Sequence, residues 1–347
     1  MREFIFKQVP DNEALDLAAF FKEPPFTQAD FYGGWQKGLG RRVKRFQVYL
    51  ASSDLRDDEL VAYFQLIKYP LPFGKSYCYV PYGPVSKYFS EDFLLALKEE
   101  LQRIAKAEKA VFIRLDFTPV IANNILSKFF TRAWRSSYHS AYFQPRVEWF
   151  LNLEKPLDQL LNEMHEKTRY SIRLSEKRGI TTEIISDNFD AYFEVFYDLM
   201  SETARRNHFQ LHPEEYYRQV FRSLSATPNS FLSVARYGDK VLAVDLVLVF
   251  GRIANYVFGG SSSEERNRLP AYAGLWRAIC QAKKVGCTDY NFGAVTAAGD
   301  SYKGWDGLTA FKKKFGGREM VHSDFYDLVV SPLWYWLYNL RKWLKKS

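Results

Sequence analysis

One order of elements occurs twice in this chain, and that repetition limits the folds open to it more than any other feature. From Arg42 to Ser53 apolar and polar residues alternate as in a strand, SDLRDD follows as a polar turn, and Glu59 to Ile67 alternates again, which is a hairpin pattern. Ser76 to Val80 is a third strand. Glu91 to Ala107 then places Phe93, Leu94, Leu97, Leu101 and Ile104 at helical spacing, and the apolar run Val111 to Leu115 is a buried strand. From Phe231 the order returns: FLSVARY, the turn GDK, VLAVDLVLVF, IANYVFGG, a helix from about Pro270 to Lys284 and a strand around Asp289 to Phe292. The spacings nearly repeat although the residues do not, so the sequence predicts two similar α/β domains, each a mixed sheet with helices on its faces.

An order of this kind is that of acetyltransferase-like (GNAT-like) domains in tandem. The boundary is expected between Gln144 and Lys155, where proline, strand and proline precede a helix; domain one is then 1–148 and domain two 149–317, with 318–347 a strand and an amphipathic helix returning to domain one. A single helix is expected from Leu157 to Arg178. It carries Leu157, Leu160, Leu161, Met164, Thr168 and Ile172 on one stripe, a basic row of Lys167, Arg169, Arg173 and Lys177 beside it, and Gly179 as its stop. That basic row is either a phosphate surface or a set of solvated charges balanced by Glu163, Glu166 and Glu176.

Charge narrows the partners. A formal net charge of +8 and a pI near 9.1 favour phosphates, whether on nucleic acid, on a nucleotide-linked precursor or on an anionic membrane. Cys78, Cys280 and Cys287 show no CxxC spacing, which indicates neither a disulfide framework nor a zinc site. The opening MREFIFKQVPDNEALD turns acidic before any apolar stretch of signal length, and no later run approaches the roughly 20 apolar residues of a spanning helix. A cytoplasmic protein is expected, with residues 331–347 as the segment able to hold it peripherally on the inner face of the plasma membrane.

Several common chemistries lack their signatures. The histidines at 139, 165, 208, 212 and 322 have no HExxH spacing, and there is no GxSxG elbow. Gly74-Lys75-Ser76 has the ending of a phosphate-binding loop, but its leading glycine is missing and it precedes a strand. Coenzyme A enzymes of this fold place a glycine-rich turn at a helix start, where backbone amides hold pyrophosphate. The corresponding RNRLPAYAG substitutes Pro270, Ala271 and Ala273, which weakens that chemistry without removing it.

Four segments, KTRYSIRLSEKRG at 167–179, YVFGGSSSEERNRLPAYAGLWRAI at 256–279, YNFGAV at 290–295 and FKKKFGG at 311–317, resemble in order and spacing the Fem family of peptidoglycan aminoacyltransferases. The similarity covers most of the chain and is best between about 160 and 320. It is of the compact type, without the family's coiled-coil arm. The resemblance implies an enzyme with neither metal nor organic cofactor. Its donor is aminoacyl-tRNA, and its acceptor is the stem peptide of a UDP-linked or lipid-linked muropeptide. An amine would attack the ester carbonyl, pass through a tetrahedral oxyanion and expel a ribose hydroxyl, which calls for positioning, a proton acceptor and positive charge at the oxyanion.

The resemblance also implies roles. Lys312, in Phe311-Lys312-Lys313-Lys314, matches the family lysine that steadies the oxyanion or assists the leaving hydroxyl, with Phe311 beside it at the substrate; three adjacent lysines near two glycines equally fit a solvated helix end. Asp116 closes the strand FIRLD and matches a family aspartate near the acceptor peptide, which implies a catalytic role in orienting or deprotonating the attacking amine, although a carboxylate before Thr118-Pro119 also caps turns. Thr203, Arg205 and Phe209 fit the pattern T-x-R-x-x-x-Y, whose arginine meets the precursor diphosphate; here phenylalanine replaces the tyrosine and its hydroxyl. Lys37 lies close to a second phosphate-binding lysine. Tyr256 and Phe258 stand where aromatic rings line the substrate channel, and Asn291 stands where relatives commonly carry aspartate.

In the tail, SPLWYWLYNLRKWLKKS mixes Trp334, Trp336, Leu337, Leu340, Trp343 and Leu344 with Arg341, Lys342, Lys345 and Lys346. This fits a membrane interface and fits packing onto the protein itself. Two other readings remain open at this level: an acyl-CoA N-acyltransferase on the same scaffold, and a non-catalytic scaffold of cell-wall synthesis docked on membranes through its tail.

Overall fold

The computed structural model describes residues 2–51, 58–118, 123–134, 143–296 and 306–344. The chain divides into two compact units, one made of residues 1–146 and 321–347, the other of 147–320. The turn SDLRDD, up to Asp57, and the terminal Lys345 and Lys346 lie outside the described residues.

In chain order the elements begin with β1 (Phe4–Val9), α1 (Leu17–Phe20), α2 (Asp30–Gly38), β2 (Arg42–Leu50), β3 (Glu59–Pro70), β4 (Ser76–Val80) and β5 (Val85–Ser86). They continue with α3 (Glu91–Ala107), β6 (Ala110–Asp116), α4 (Asn123–Leu126), β7 (Thr131–Arg132), β8 (Val147–Asn152), α5 (Leu157–Glu163) and α6 (Glu166–Lys177). Next come β9 (Thr181–Ile185), α7 (Phe193–Asn207), α8 (Glu214–Ser225), β10 (Phe231–Tyr237), β11 (Lys240–Phe250) and β12 (Ile253–Ser261). The last are α9 (Pro270–Lys284), β13 (Asp289–Ala294), α10 (Asp306–Lys313), β14 (Arg318–Val321), β15 (Phe325–Val329) and α11 (Pro332–Leu344).

The first unit is built on a sheet ordered β1-β2-β3-β4-β6-β15-β7, with β5 paired to β3. β4 and β6 run parallel, and β15 joins β6 antiparallel with Phe325 opposite Asp116. Helix α3 forms because Ser90 caps it, its hydroxyl accepting the Phe93 N–H at 3.2 Å, while Glu91 and Asp92 meet the positive end of its dipole. Its apolar stripe of Phe93, Leu94, Leu97 and Leu101 is buried with Phe46, Phe64, Cys78 and Ile113, each large side chain contributing about 2–3 kcal/mol. At the heart of this sheet Arg114 and Asp327 form a fully buried pair, Nε to Oδ1 at 2.8 Å and Nη2 to Oδ2 at 2.6 Å, and the Tyr335 hydroxyl donates to Oδ2 at 2.8 Å.

The second unit has the sheet order β14-β8-β13-β12-β11-β10-β9. β10, β11 and β12 form an antiparallel meander and β12 meets β13 in parallel, so α9 is the crossover that the parallel pair requires. Leu275, Ala278, Ile279 and Ala282 of α9 pack onto Val247, Val249, Ala254 and Phe292. The α/β class with paired GNAT-like sheets is as the element order predicted.

One expected element differs. The helix foreseen from Leu157 to Arg178 is two helices, α5 and α6, broken where Met164 turns extended. The cause is a set of competing hydrogen bonds. The His165 N–H donates to the Lys314 carbonyl at 2.9 Å, and the His165 ring accepts the Lys167 N–H at 3.2 Å as the cap of α6. Arg169 of α6 donates to the Asn162 carbonyl at 3.0 Å, satisfying the open end of α5. The break still buries Leu160, Met164, Thr168 and Ile172, whereas Leu157 stays exposed.

Candidate active site

The pairing of β12 with β13 covers three residue pairs, Ile253 with Asp289, Ala254 with Tyr290 and Asn255 with Asn291, after which the strands cease to pair. At that point β13 bends. Gly293 takes φ +74°, a region that favours glycine, and donates its N–H to Asn291 Oδ1 at 2.7 Å. Asn291 Nδ2 donates to Glu148 Oε1 at 3.0 Å and to Asn255 Oδ1 at 3.3 Å. The interruption of the sheet is therefore held by a buried polar network.

Into this bend comes Lys312 from the last turn of α10. Its side chain is 5% exposed, and Nζ donates to the Ala294 carbonyl at 2.7 Å. Burial pushes its pKa down to about 8, against the opposing field of Glu148. Such a lysine is mostly cationic at neutral pH yet close enough to its titration to give up or regain a proton. Lys313, its neighbour, turns instead towards Glu319 at 3.7 Å and the Trp149 ring. The turn that follows α10 admits no side chain at Gly317, where a Cβ would lie 2.3 Å from the Phe150 carbonyl oxygen. Phe311 packs edge-on against Tyr272 and Phe315, with ring centroids 5.0 and 5.3 Å apart.

Beside the bend lies a second buried acid. Asp245 on β11 is hydrogen-bonded to the Tyr256 hydroxyl, and burial raises its pKa to about 8. Its Oδ2 has no hydrogen-bond partner among the described residues. Gly259 and Gly274 make room for it, since a Cβ on the first would stand 2.6 Å from Oδ1 and one on the second 2.8 Å from Oδ2.

The structure groups the sequence-derived residues unevenly. Tyr256 joins the cluster beneath α9, while Phe258, beyond a bulge in the β11–β12 pairing, meets Tyr217 and Tyr216 of α8. The two rings therefore line different surfaces, not one channel. Thr203 exchanges hydrogen bonds with the backbone of Ser261 at 3.0 and 2.9 Å. Arg205 is exposed and makes no ion pair among the described residues, and Phe209 is 40% exposed, whereas Arg206 is held on the Ser261 carbonyl at 2.9 Å and hydroxyl at 3.0 Å.

In the first unit Asp116 is 1% exposed; it accepts from the Tyr79 hydroxyl and the Tyr82 N–H, and burial pushes its pKa well above the carboxylate range. Both of its oxygens are committed to the fold. Lys37 is paired with Asp11 at 2.8 Å on a groove of about 390 Å³ that is also lined by Arg41, Arg42, Lys44 and Lys68. Glu108 in that groove is buried, which would raise its pKa, yet Lys44 at 2.6 Å and Lys68 at 2.9 Å hold it at about 2. The groove keeps a surplus of cations. Glu148, Asp245, Asn255 and Arg206 were not anticipated. An isolated acid within the apolar run VLAVDLVLVF and the three-residue step from Thr203 to Arg206 were the available signals.

Comparison with known proteins agrees with the fold. The acetyltransferase (GNAT) domain family matches residues 162–312. A lipid II:glycine glycyltransferase of Staphylococcus aureus strain MRSA252 is 25% identical, over 84% of this chain and 86% of its own length. The crystal structure of FemX superposes with a TM-score of 0.80 at 22% identity, covering 96% of this chain and 99% of that one. A tandem GNAT protein from the clavulanic acid biosynthesis pathway superposes at 0.52 with 12% identity, covering 94% and 98%, and shares the fold. The chain is thus similar along most of its length to a lipid II:glycine glycyltransferase and is built on two GNAT-like units.

Proposed function

We propose that the protein is an aminoacyltransferase that takes an amino acid from charged tRNA and joins it to the stem peptide of a lipid-linked or UDP-linked peptidoglycan precursor, forming a cell-wall bridge. The observation that carries this reading is the Lys312 ammonium, buried at the point where β12 and β13 part and held on the Ala294 carbonyl. The acceptor amine attacks the ester carbonyl, a C–N bond forms, the ester C–O bond breaks, and the amine's proton ends on the departing ribose oxygen. Negative charge gathers on the carbonyl oxygen during attack, and a desolvated ammonium stabilises it far more than one in water.

Arg205, exposed and without an ion pair among the described residues, supplies charge for precursor diphosphate; the first unit offers a cationic groove of its own around Lys37. Tyr256 and Phe311 border the lysine site as aromatic contacts, and Thr203 acts by fixing the end of β12. Asp116 serves by ordering Tyr79 and Tyr82. No helix among the described residues is long and apolar enough to cross a membrane. The outward Leu333, Trp336, Leu337 and Trp343 of α11, with Arg341 beside them, fit peripheral attachment to an anionic membrane face, where a lipid-linked acceptor resides.

Purified protein given a mixture of charged tRNAs and a muropeptide acceptor is expected to yield an RNase-sensitive amide product identified by its mass. Lys312→Met should lower kcat by about 100-fold or more. Absence of product across all amino acids, or full activity in the Met variant, would count decisively against the reading.

A further inference from the structure

A buried ammonium whose hydrogen-bond acceptor is a neutral carbonyl has no charge balance of its own, and in a low-dielectric site it tends to lose its proton. Glu148 answers that need. It stands opposite Ala294 in the β8–β13 pairing, and the Ala294 carbonyl is the group that accepts from Lys312. The carboxyl is 7% exposed, and Oε1 accepts from Asn291 Nδ2 at 3.0 Å. Asn291 in turn holds Gly293 in its bend. One carboxylate is thus tied both to the charge of the lysine and to the strand geometry that offers it a carbonyl.

Titratable groups on the surrounding elements do not compete for this task. Tyr256 on β12 is engaged with Asp245, which burial keeps largely protonated at neutral pH. Tyr290 on β13 and Tyr272 on α9 are raised by burial and stay neutral. Asp289 begins β13 against Arg318 at 3.6 Å, and Lys313 is drawn to Glu319. Among the described residues Glu148 is the carboxylate whose field reaches Lys312.

We propose that Glu148 is a positioning residue that keeps the Lys312 ammonium charged in its buried site and, through Asn291, sets the bend of β13 that presents the Ala294 carbonyl. This rests on Lys312 being the group that stabilises the oxyanion. Glu148→Gln retains an oxygen for Asn291 and removes the charge alone. Lysine side-chain NMR of the full chain, with the Lys312 signal assigned by its loss in Lys312→Met, should show the titration midpoint falling by about one pH unit in Glu148→Gln. The basic limb of the kcat profile should move down by the same amount, with KM for the muropeptide changed less than about twofold. Glu148→Asp, which keeps the charge, should restore most of the midpoint.

The outcomes separate. Full activity in Lys312→Met overturns the assignment of Lys312 and this inference with it. An inactive Lys312→Met together with an unmoved midpoint in Glu148→Gln overturns the role of Glu148 alone. A fall in kcat of Glu148→Gln at every pH, with no shift of the limb, likewise reduces Glu148 to a structural residue.

Discussion

Asp245 makes the stability of the second unit fall as the solution becomes more alkaline, and Asp245→Asn should abolish that fall. In an unfolded chain an aspartate titrates near 3.9, whereas in the fold Asp245 titrates at about 8. Between those limits the unfolded chain has released a proton that the folded chain still holds. The native state therefore binds more protons, and raising the pH favours unfolding by up to about 1.4 kcal/mol per pH unit. From pH 4 to pH 7 the loss amounts to roughly 4 kcal/mol. The Asn variant escapes it, but pays about 1–3 kcal/mol at every pH for an amide NH₂ set where Oδ2 has no partner among the described residues. It should thus be the less stable protein near pH 4 and the more stable one above neutrality. Urea unfolding from pH 4.5 to 8, read by hydrogen exchange of the β11 amides, measures the difference directly. A difference that stays constant with pH would refute the reasoning, because it would mean that Asp245 ionises in the fold as readily as in water.

Other consequences are as definite. Gly260→Ala should destabilise the second unit by about 3 kcal/mol, since its Cβ would stand 2.6 Å from the Met200 backbone nitrogen, and thermal melting tests it. Asp327→Ala should cost the first unit about 3–5 kcal/mol by stranding the Arg114 guanidinium, while Arg114→Met with Asp327→Leu should cost much less, an ordering that chemical denaturation of the three proteins establishes.

The architecture was legible where local chemistry agrees with the final packing. Helix α3 carries its cap, its acidic first turn and its apolar stripe within its own residues, and the hairpins of β2–β3 and β10–β11 show their alternation directly. The break between α5 and α6 was not legible, because its determinant is the carbonyl of Lys314, remote in sequence, and neither glycine nor proline marks the place. The site divided in the same way. The family resemblance singled out Lys312, whereas Glu148 stands on another strand, opposite Ala294 in a pairing register that a linear reading does not contain. Tyr256 and Phe258 are two residues apart, which in a regular strand puts both rings on one side; the bulge opposite them undoes that inference.

The strand order of the first unit bears on how the chain is made. β15 lies between β6 and β7, yet it is synthesised after the whole of the second unit. Until then the nascent polypeptide emerging from the ribosome carries β6 with one side unsatisfied and Arg114 without its counter-ion. The opening residues must wait, their sheet without this strand, while the intervening 147–320 segment is translated.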